Sequence, residues 1–342
     1  MLLRNYPLIR GKKLAFLIFT RALATNASDG TTPSLSSSQS DAPQRLAQQL
    51  DYCAKIVEER DYENFVAAML MPAPVQPVII SMLALNAEVA IVRQKIKRNS
   101  GVTGIYQLQF WRDALRVWAR QQKGMLPRQP AIECLKAFGT PHKDVDLMLK
   151  LVEARQATLG DRPFKTLADL DANSVDVFGS LMRLWANALA RNGQHDSVGD
   201  AIVSSTSFNS VVDHIAKAVG IAMLLRSTLP LLKTGVVLLP EEAMSAHALN
   251  PDIIFNNREP DALRRMARDL CQVSIDYLDA ARARQAEVAP RVWSALLSSA
   301  FRADYYTRVL RDSKHDLFAT RLQQRPTFTT WRLWWRHRRR II

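Results

Sequence analysis

The sequence predicts an all-α protein built around a single helical domain, and three observations predict it. From Gln44 onward, apolar residues recur every three or four positions, the spacing that lines one face of a helix. Helix breakers fall between those stretches: Pro72 and Pro74, Asn99-Ser100-Gly101, Gly139-Thr140-Pro141, Gly193 and Pro230. Alternating strand patterns are scarce, and the nearest, VVLLP at 236–240, is too short to build a sheet. With 342 residues and 48% hydrophobic content the chain can bury a substantial core, which excludes a disordered or fibrous protein.

Residues 1–28 combine Arg4, Arg10, Lys12, Lys13 and Arg21 with apolar residues and contain no acid. This is the composition of a mitochondrial presequence, a basic amphipathic segment drawn by a potential that is negative inside. A secretory signal fits less well, because the apolar run LAFLIFT is short and Arg21 interrupts it. Residues 29–42 continue a Ser/Thr-rich stretch with almost no apolar content and read as a disordered linker, so folded structure is expected from Pro43.

In the first helix Leu46, Leu50, Cys53, Ile56 and Val57 form one stripe. Further helical patterns span 77–98, 104–122, 143–158, 174–191, 208–229, 261–286 and 291–311, giving a domain over 43–325. Residues 64–87 carry no charge and are long enough to suggest a membrane span, but Pro72, Pro74 and Pro77 divide them into the end of one buried helix and the start of another. The apolar stretch 218–232 contains Arg226 and Pro230, so no span is expected there either. The last segment, 326–342, is a basic tail in which Trp331, Trp334 and Trp335 fall at i, i+3 and i+4 of a helix, beside five arginines. Two readings stay open: membrane contact through Trp331, Arg332, Trp334, Trp335, Arg336 and Arg338, or packing of the tryptophans on the bundle.

The net charge of +14 would suit nucleic acid, but ten of those charges sit in residues 1–28 and 331–342. The body has no interleaved basic and aromatic patch, so no nucleic-acid partner is expected. Phosphate-cradling glycine loops, the nucleophile elbow and HExxH are all missing from the sequence. Cys53, Cys134 and Cys271 are widely spaced, and the six histidines show no ligand spacing. Asp196/Asp200 and Asp312/Asp316 match DxxxD, but both pairs lie in polar segments and read as solvated charge. No catalytic, cofactor-binding or metal site is expected.

The segment YCAKIVEERDYENFVAAMLMP (52–72) resembles the opening of the squalene/phytoene synthase family, and HIAKAVGIAMLLRSTLPLLKTGVVLLPEEAM (214–244) resembles its second Asp-rich helix. RDYENF (60–65), LALNAEV (83–89), LQFWRDAL (108–115), QPAIECL (129–135), EARQATLGDRPFKTLADLD (153–171) and LLRSTLP add a likeness to that family's mitochondrial complex I (NADH:ubiquinone oxidoreductase) assembly-factor branch. The resemblance covers about 45–325 and implies a single-domain isoprenoid-synthase-like bundle. It also implies where the enzymes' metal-binding aspartates would stand: here those positions are Ala90, Gln94, Leu231 and Gly235, with Ser227 and Pro230 at neighbouring polar positions. Side chains of Ala, Leu and Gly cannot ligate Mg²⁺, so the resemblance implies a pseudoenzyme. It further implies a matrix protein peripheral to the inner membrane, acting early in complex I assembly with complex I subunits or other assembly factors.

Two expectations accompany this reading. Ala90, Leu224 and Leu231 replace polar positions with apolar ones, so a vestigial cavity could hold a lipid. The alternative is an active or lipid-binding synthase-like protein that uses other carboxylates, with Glu88, Glu241 and Glu242 as candidates. The stretch 192–210 is longer than the usual link in the family.

Overall fold

A computed structural model describes residues 41–95, 101–191 and 197–342. The presequence reading and most of the linker lie outside them. The described residues are helical throughout their regular structure, with no strand among them. Helix α1 runs Asp41–Arg60, two residues ahead of the expected start at Pro43, and buries the predicted stripe of Leu50, Cys53 and Val57. It is followed by α2 (Tyr62–Met69), α3 (Gln76–Lys95), α4 (Gly101–Trp118), α5 (Pro130–Ala137), α6 (Val145–Ala157) and α7 (Leu167–Ser174). A π turn at Val175–Gly179 joins α7 to α8 (Ser180–Arg191), so the helix expected at 174–191 begins earlier and bulges in the middle. Next come α9 (Ser197–Ser204), α10 (Thr206–Leu232), α11 (Glu241–Ala246), α12 (Pro251–Phe255), α13 (Pro260–Ala283), α14 (Leu297–Asp312), α15 (Thr320–Gln323) and α16 (Thr329–Arg339).

Local chemistry sets several boundaries. The uncharged stretch 64–87 divides as its prolines require, α2 ending at Met69 and α3 starting at Gln76. The Gln76 side chain donates to the Met69 and Met71 carbonyls at 3.3 and 2.8 Å, tying that corner. At the start of α7, Thr166 and Asp169 form a reciprocal capping box, with Thr166 Oγ1 accepting from Asp169 N–H at 3.1 Å. The long link at 192–210 is in part α9, which packs on α8 and α10. VVLLP is a buried non-helical connection.

Two apolar clusters make the core. The larger surrounds α1, α3, α6 and α8, and the smaller surrounds the C-terminal half of α10 with α13 and α14. Among the described helices, α10 alone is long and apolar enough to cross a membrane. It is packed by α7, α13 and α14, which makes it the central helix of the bundle.

Pro230 lies inside α10, and the helix continues two residues beyond it. Proline has no N–H for the Arg226 carbonyl, and Gln323 Nε2 of α15 donates to that carbonyl instead, at 2.9 Å. The Arg226 guanidinium returns a hydrogen bond to the Leu322 carbonyl at 3.2 Å. Replacing Gln323 by Ala is therefore expected to cost about 1 kcal/mol, since it orphans a half-buried carbonyl. Urea unfolding checks this: the loss should shrink in a Pro230→Ala background, where an N–H returns to the helix.

Candidate functional site

The positions at which the resemblance places metal-binding aspartates can now be located. Ala90 is on an exposed face of α3, and the side chain of Gln94 lies outside the described residues. Leu231 is half-buried against the smaller core cluster. Gly235 has φ +77° and ends α10: its N–H donates to the Leu232 carbonyl at 2.8 Å, and the Val236 N–H donates to the Leu231 carbonyl at 3.0 Å. That pair of bonds closes a helix through a left-handed residue, a conformation glycine adopts without strain. The backbone at 235 thus turns away where a continuing helix would present a ligand. Ser227 Oγ donates to the Leu224 carbonyl of its own helix at 2.9 Å.

Two of the three carboxylates nominated as substitutes are hydrogen-bonded elsewhere. Glu88 accepts a hydrogen bond from the Tyr52 hydroxyl, and this bond is the largest influence pushing the Tyr52 pKa up to about 12. Glu242 Oε2 accepts from the Leu167 N–H at 3.0 Å, at the start of α7, while Glu241 is exposed on α11. Among the described residues, no group of three or more His, Cys, Asp or Glu could hold a metal ion. Asp200 pairs with Lys143 at 2.8 Å, and Asp312 lies 3.9 Å from Arg321.

Charged groups do converge at the seam between the two halves of the bundle, a feature that sequence reasoning missed. Arg302 of α14 pairs with Asp61, at the junction of α1 and α2, and with Glu63 of α2 at 3.3 Å. Asn64 Nδ2 donates to Asp61 at 2.7 Å. Burial is the largest single influence and pushes the Glu63 pKa up, but the Arg302 charge and hydrogen bond, a backbone hydrogen bond and the Arg226 charge together outweigh it, and the net shift is downward. Nearby, Arg155 of α6 donates to Asn86 of α3 at 2.8 Å and to the Leu151 carbonyl at 3.1 Å. Burial lowers its pKa to about 10, against the pull of the Asp61 charge.

A cleft of about 440 Å³ opens between α3 and α4, lined by Glu88, Val92, Tyr106, Phe110 and Trp111 among others. It does not include Ala90, Leu224 or Leu231, the positions that motivated a vestigial cavity; Leu224 is buried in the smaller core cluster.

Helix α16 packs across α2 and α14. Leu333 is fully buried, and Arg336 pairs with Asp304 of α14. Trp331, Trp334 and Trp335 point outward, 57%, 39% and 39% exposed. The expected shared tryptophan face is present and is not the packed one. Two of the six residues named for membrane contact are turned toward the bundle: Arg336 to Asp304, and Arg332 over the Tyr305 ring at 5.6 Å. Half-buried Asp304 draws Arg336 inward together with Arg282 and Arg308. Arg338 is exposed.

The sequence model of the squalene/phytoene synthase family matches residues 57–332. This chain belongs to that family. Solved family folds agree with the bundle. A dehydrosqualene synthase superposes with TM-score 0.66 at 14% identity, covering 86% of this chain and 97% of that one. The squalene synthase HpnC from Alicyclobacillus acidocaldarius gives 0.59 at 18% identity, covering 80% and 97%. Among similar sequences, proteins described as NADH dehydrogenase (ubiquinone) complex I, assembly factor 6 match over most of both chains. The Rattus norvegicus protein is 25% identical over 84% of this chain and 82% of its own length. The Homo sapiens protein is 24% identical over 81% and 78%, and the Drosophila melanogaster homolog 26% identical over 83% and 82%.

Proposed function

We propose that this member of the squalene/phytoene synthase family is a non-catalytic factor in the early assembly of mitochondrial respiratory complex I. In this reading it works in the matrix, peripheral to the inner membrane, with complex I subunits or other assembly factors as partners. The observation that carries the reading is the set of relatives described as complex I assembly factor 6, which match about four-fifths of the chain. The residues at the enzyme-like positions support it. Alanine at 90, leucine at 231 and a helix-ending glycine at 235 offer no carboxylate to Mg²⁺.

Depletion of the protein is expected to stall complex I at an early intermediate, visible on native gels and restored by re-expression. Normal complex I after complete loss would sink the assembly role. The catalytic alternative is tested separately. With farnesyl or geranylgeranyl diphosphate and Mg²⁺, no diphosphate release is expected; release that disappears on Glu88→Gln would establish an enzyme. Among the described residues that line the α3–α4 cleft, Glu88 is the one charged residue.

A further inference from the structure

Helix α16 is fixed on one side and unpartnered on the other. Its inner edge is held by buried Leu333 and by the Arg336–Asp304 pair. The segment that follows is tied as well: the Ile342 N–H donates to Gln285 Oε1 at 3.1 Å, Arg282 donates to the Ile342 carbonyl at 3.1 Å, and Gln285 Nε2 donates to the Arg340 carbonyl at 2.7 Å. The outer face is therefore presented rigidly. On it the Trp331 and Trp335 rings stack with centroids 5.9 Å apart and planes 17° apart, and Trp334 lies 6.4 Å from Trp335. The Arg339 guanidinium covers the Trp335 ring at 4.5 Å, and Arg338 and Arg340 are exposed beside it. Phe328 and Ile341 extend the exposed apolar surface at the two ends. No acid follows Asp316 in the chain, so nothing in this segment balances the arginines.

From this arrangement we infer that the outer face of α16 is a preformed docking surface for an anionic lipid bilayer. Indole rings suit the zone between acyl chains and headgroups, where an apolar body and a polar N–H are both accommodated. Arginines held around them meet lipid phosphates, and the attraction grows with the anionic lipid fraction. The charge complementarity selects an acidic membrane over an apolar protein groove, which would leave Arg338, Arg339 and Arg340 unpaired. The inference rests on the membrane-peripheral reading and assigns it to particular residues.

The test uses the full chain with vesicles of phosphatidylcholine, with and without cardiolipin, in which some acyl chains are brominated. The protein has seven tryptophans, and the other four, Trp111, Trp118, Trp185 and Trp293, are buried, so bromine quenching of the emission reports on α16. Flotation and strong quenching are expected with cardiolipin, with neither on phosphatidylcholine alone. Arg338→Gln/Arg339→Gln/Arg340→Gln should weaken binding about 100-fold, at roughly fivefold per arginine lost. Trp331→Ser/Trp334→Ser/Trp335→Ser should weaken it at least about tenfold, scaled to three exposed apolar side chains. Equal flotation of wild type and both variants, with the wild-type tryptophans unquenched, would overturn the α16 assignment while leaving peripheral membrane binding intact. Failure of the full chain to bind any anionic vesicle would overturn both. Capture of an RNA oligonucleotide in place of vesicles would identify the face as a nucleic-acid surface and overturn the inference as well.

Discussion

Replacing Arg302 by methionine is expected to cost about 3–5 kcal/mol of folding stability, because it takes the paired cation away from buried Glu63 and half-buried Asp61. Arg302 is on α14 and both acids belong to the α1–α2 corner, so the pair joins the end of the bundle to its beginning. Methionine keeps much of the volume, which separates the charge effect from a cavity effect. The decisive comparison is the triple variant Asp61→Asn/Glu63→Gln/Arg302→Met. Removing all three charges should recover most of the loss, since a buried ion cluster contributes little net stability over neutral groups of similar shape. Urea denaturation followed by circular dichroism measures both. If the single and triple variants are equally unstable, packing rather than charge holds this corner.

The same cluster gives the direction of an acid effect. The Glu63 pKa is lower in the folded protein than in the unfolded chain, so its pairing contributes fully above the unfolded value of about 4.3. That contribution is lost as the pH falls through the folded value. Asp304 behaves alike: burial pushes its pKa up, but Arg336, Arg282 and Arg308 outweigh burial and hold it down. Acid should therefore loosen two places together, the α1–α14 seam and the attachment of α16. Hydrogen exchange between pH 6 and pH 3 should show protection falling first at Asp61–Glu63 and along α16. In Arg302→Met the first of these steps should disappear.

Long apolar periodicity was the legible part of the sequence. The α1 stripe, the break at Pro72–Pro74 and the long helices α3, α10 and α13 all follow from spacing and proline chemistry. Helices of four to eight residues, such as α5, α9, α12 and α15, carry too few turns for a period to stand out. The Arg302 cluster was not legible for a different reason. Its partners are 239 and 241 residues apart, and nothing local to either segment marks them as neighbours. Helix α16 lies between these cases. Spacing showed that its tryptophans share a face but not which way that face turns, because the deciding group, Asp304, belongs to another helix. The Arg226–Gln323 bond is similar: Pro230 announces an unmet carbonyl, and only the fold supplies its donor.

Gly220→Ala is expected to destabilise the protein by about 3 kcal/mol, at the upper end of what overpacking a core costs. Here α10 crosses α7 so closely that a Cβ at 220 would stand 1.9 Å from Ser174 Oγ and 2.4 Å from Ser174 Cβ. Ser174 cannot swing aside, since it is buried and its hydroxyl donates to the Leu170 carbonyl at 2.6 Å. On its other side α10 is held by Ser274 of α13, whose hydroxyl donates to the Ala218 carbonyl at 2.8 Å, so the helix has no free direction in which to move. The second-site pattern tests this geometry. Ser174→Ala should not rescue Gly220→Ala, because the Cβ at 2.4 Å remains. Ser174→Gly should rescue it in part, because the Cα lies at an ordinary 3.5 Å, although glycine in a helix itself costs about 1 kcal/mol. Thermal unfolding of the single and double variants reads the result, and rescue by Ser174→Ala would show that the hydroxyl alone made the clash. In mitochondria the single variant should lower the amount of folded protein and stall complex I with the α16 face unaltered, which separates loss of the scaffold from loss of the surface it carries.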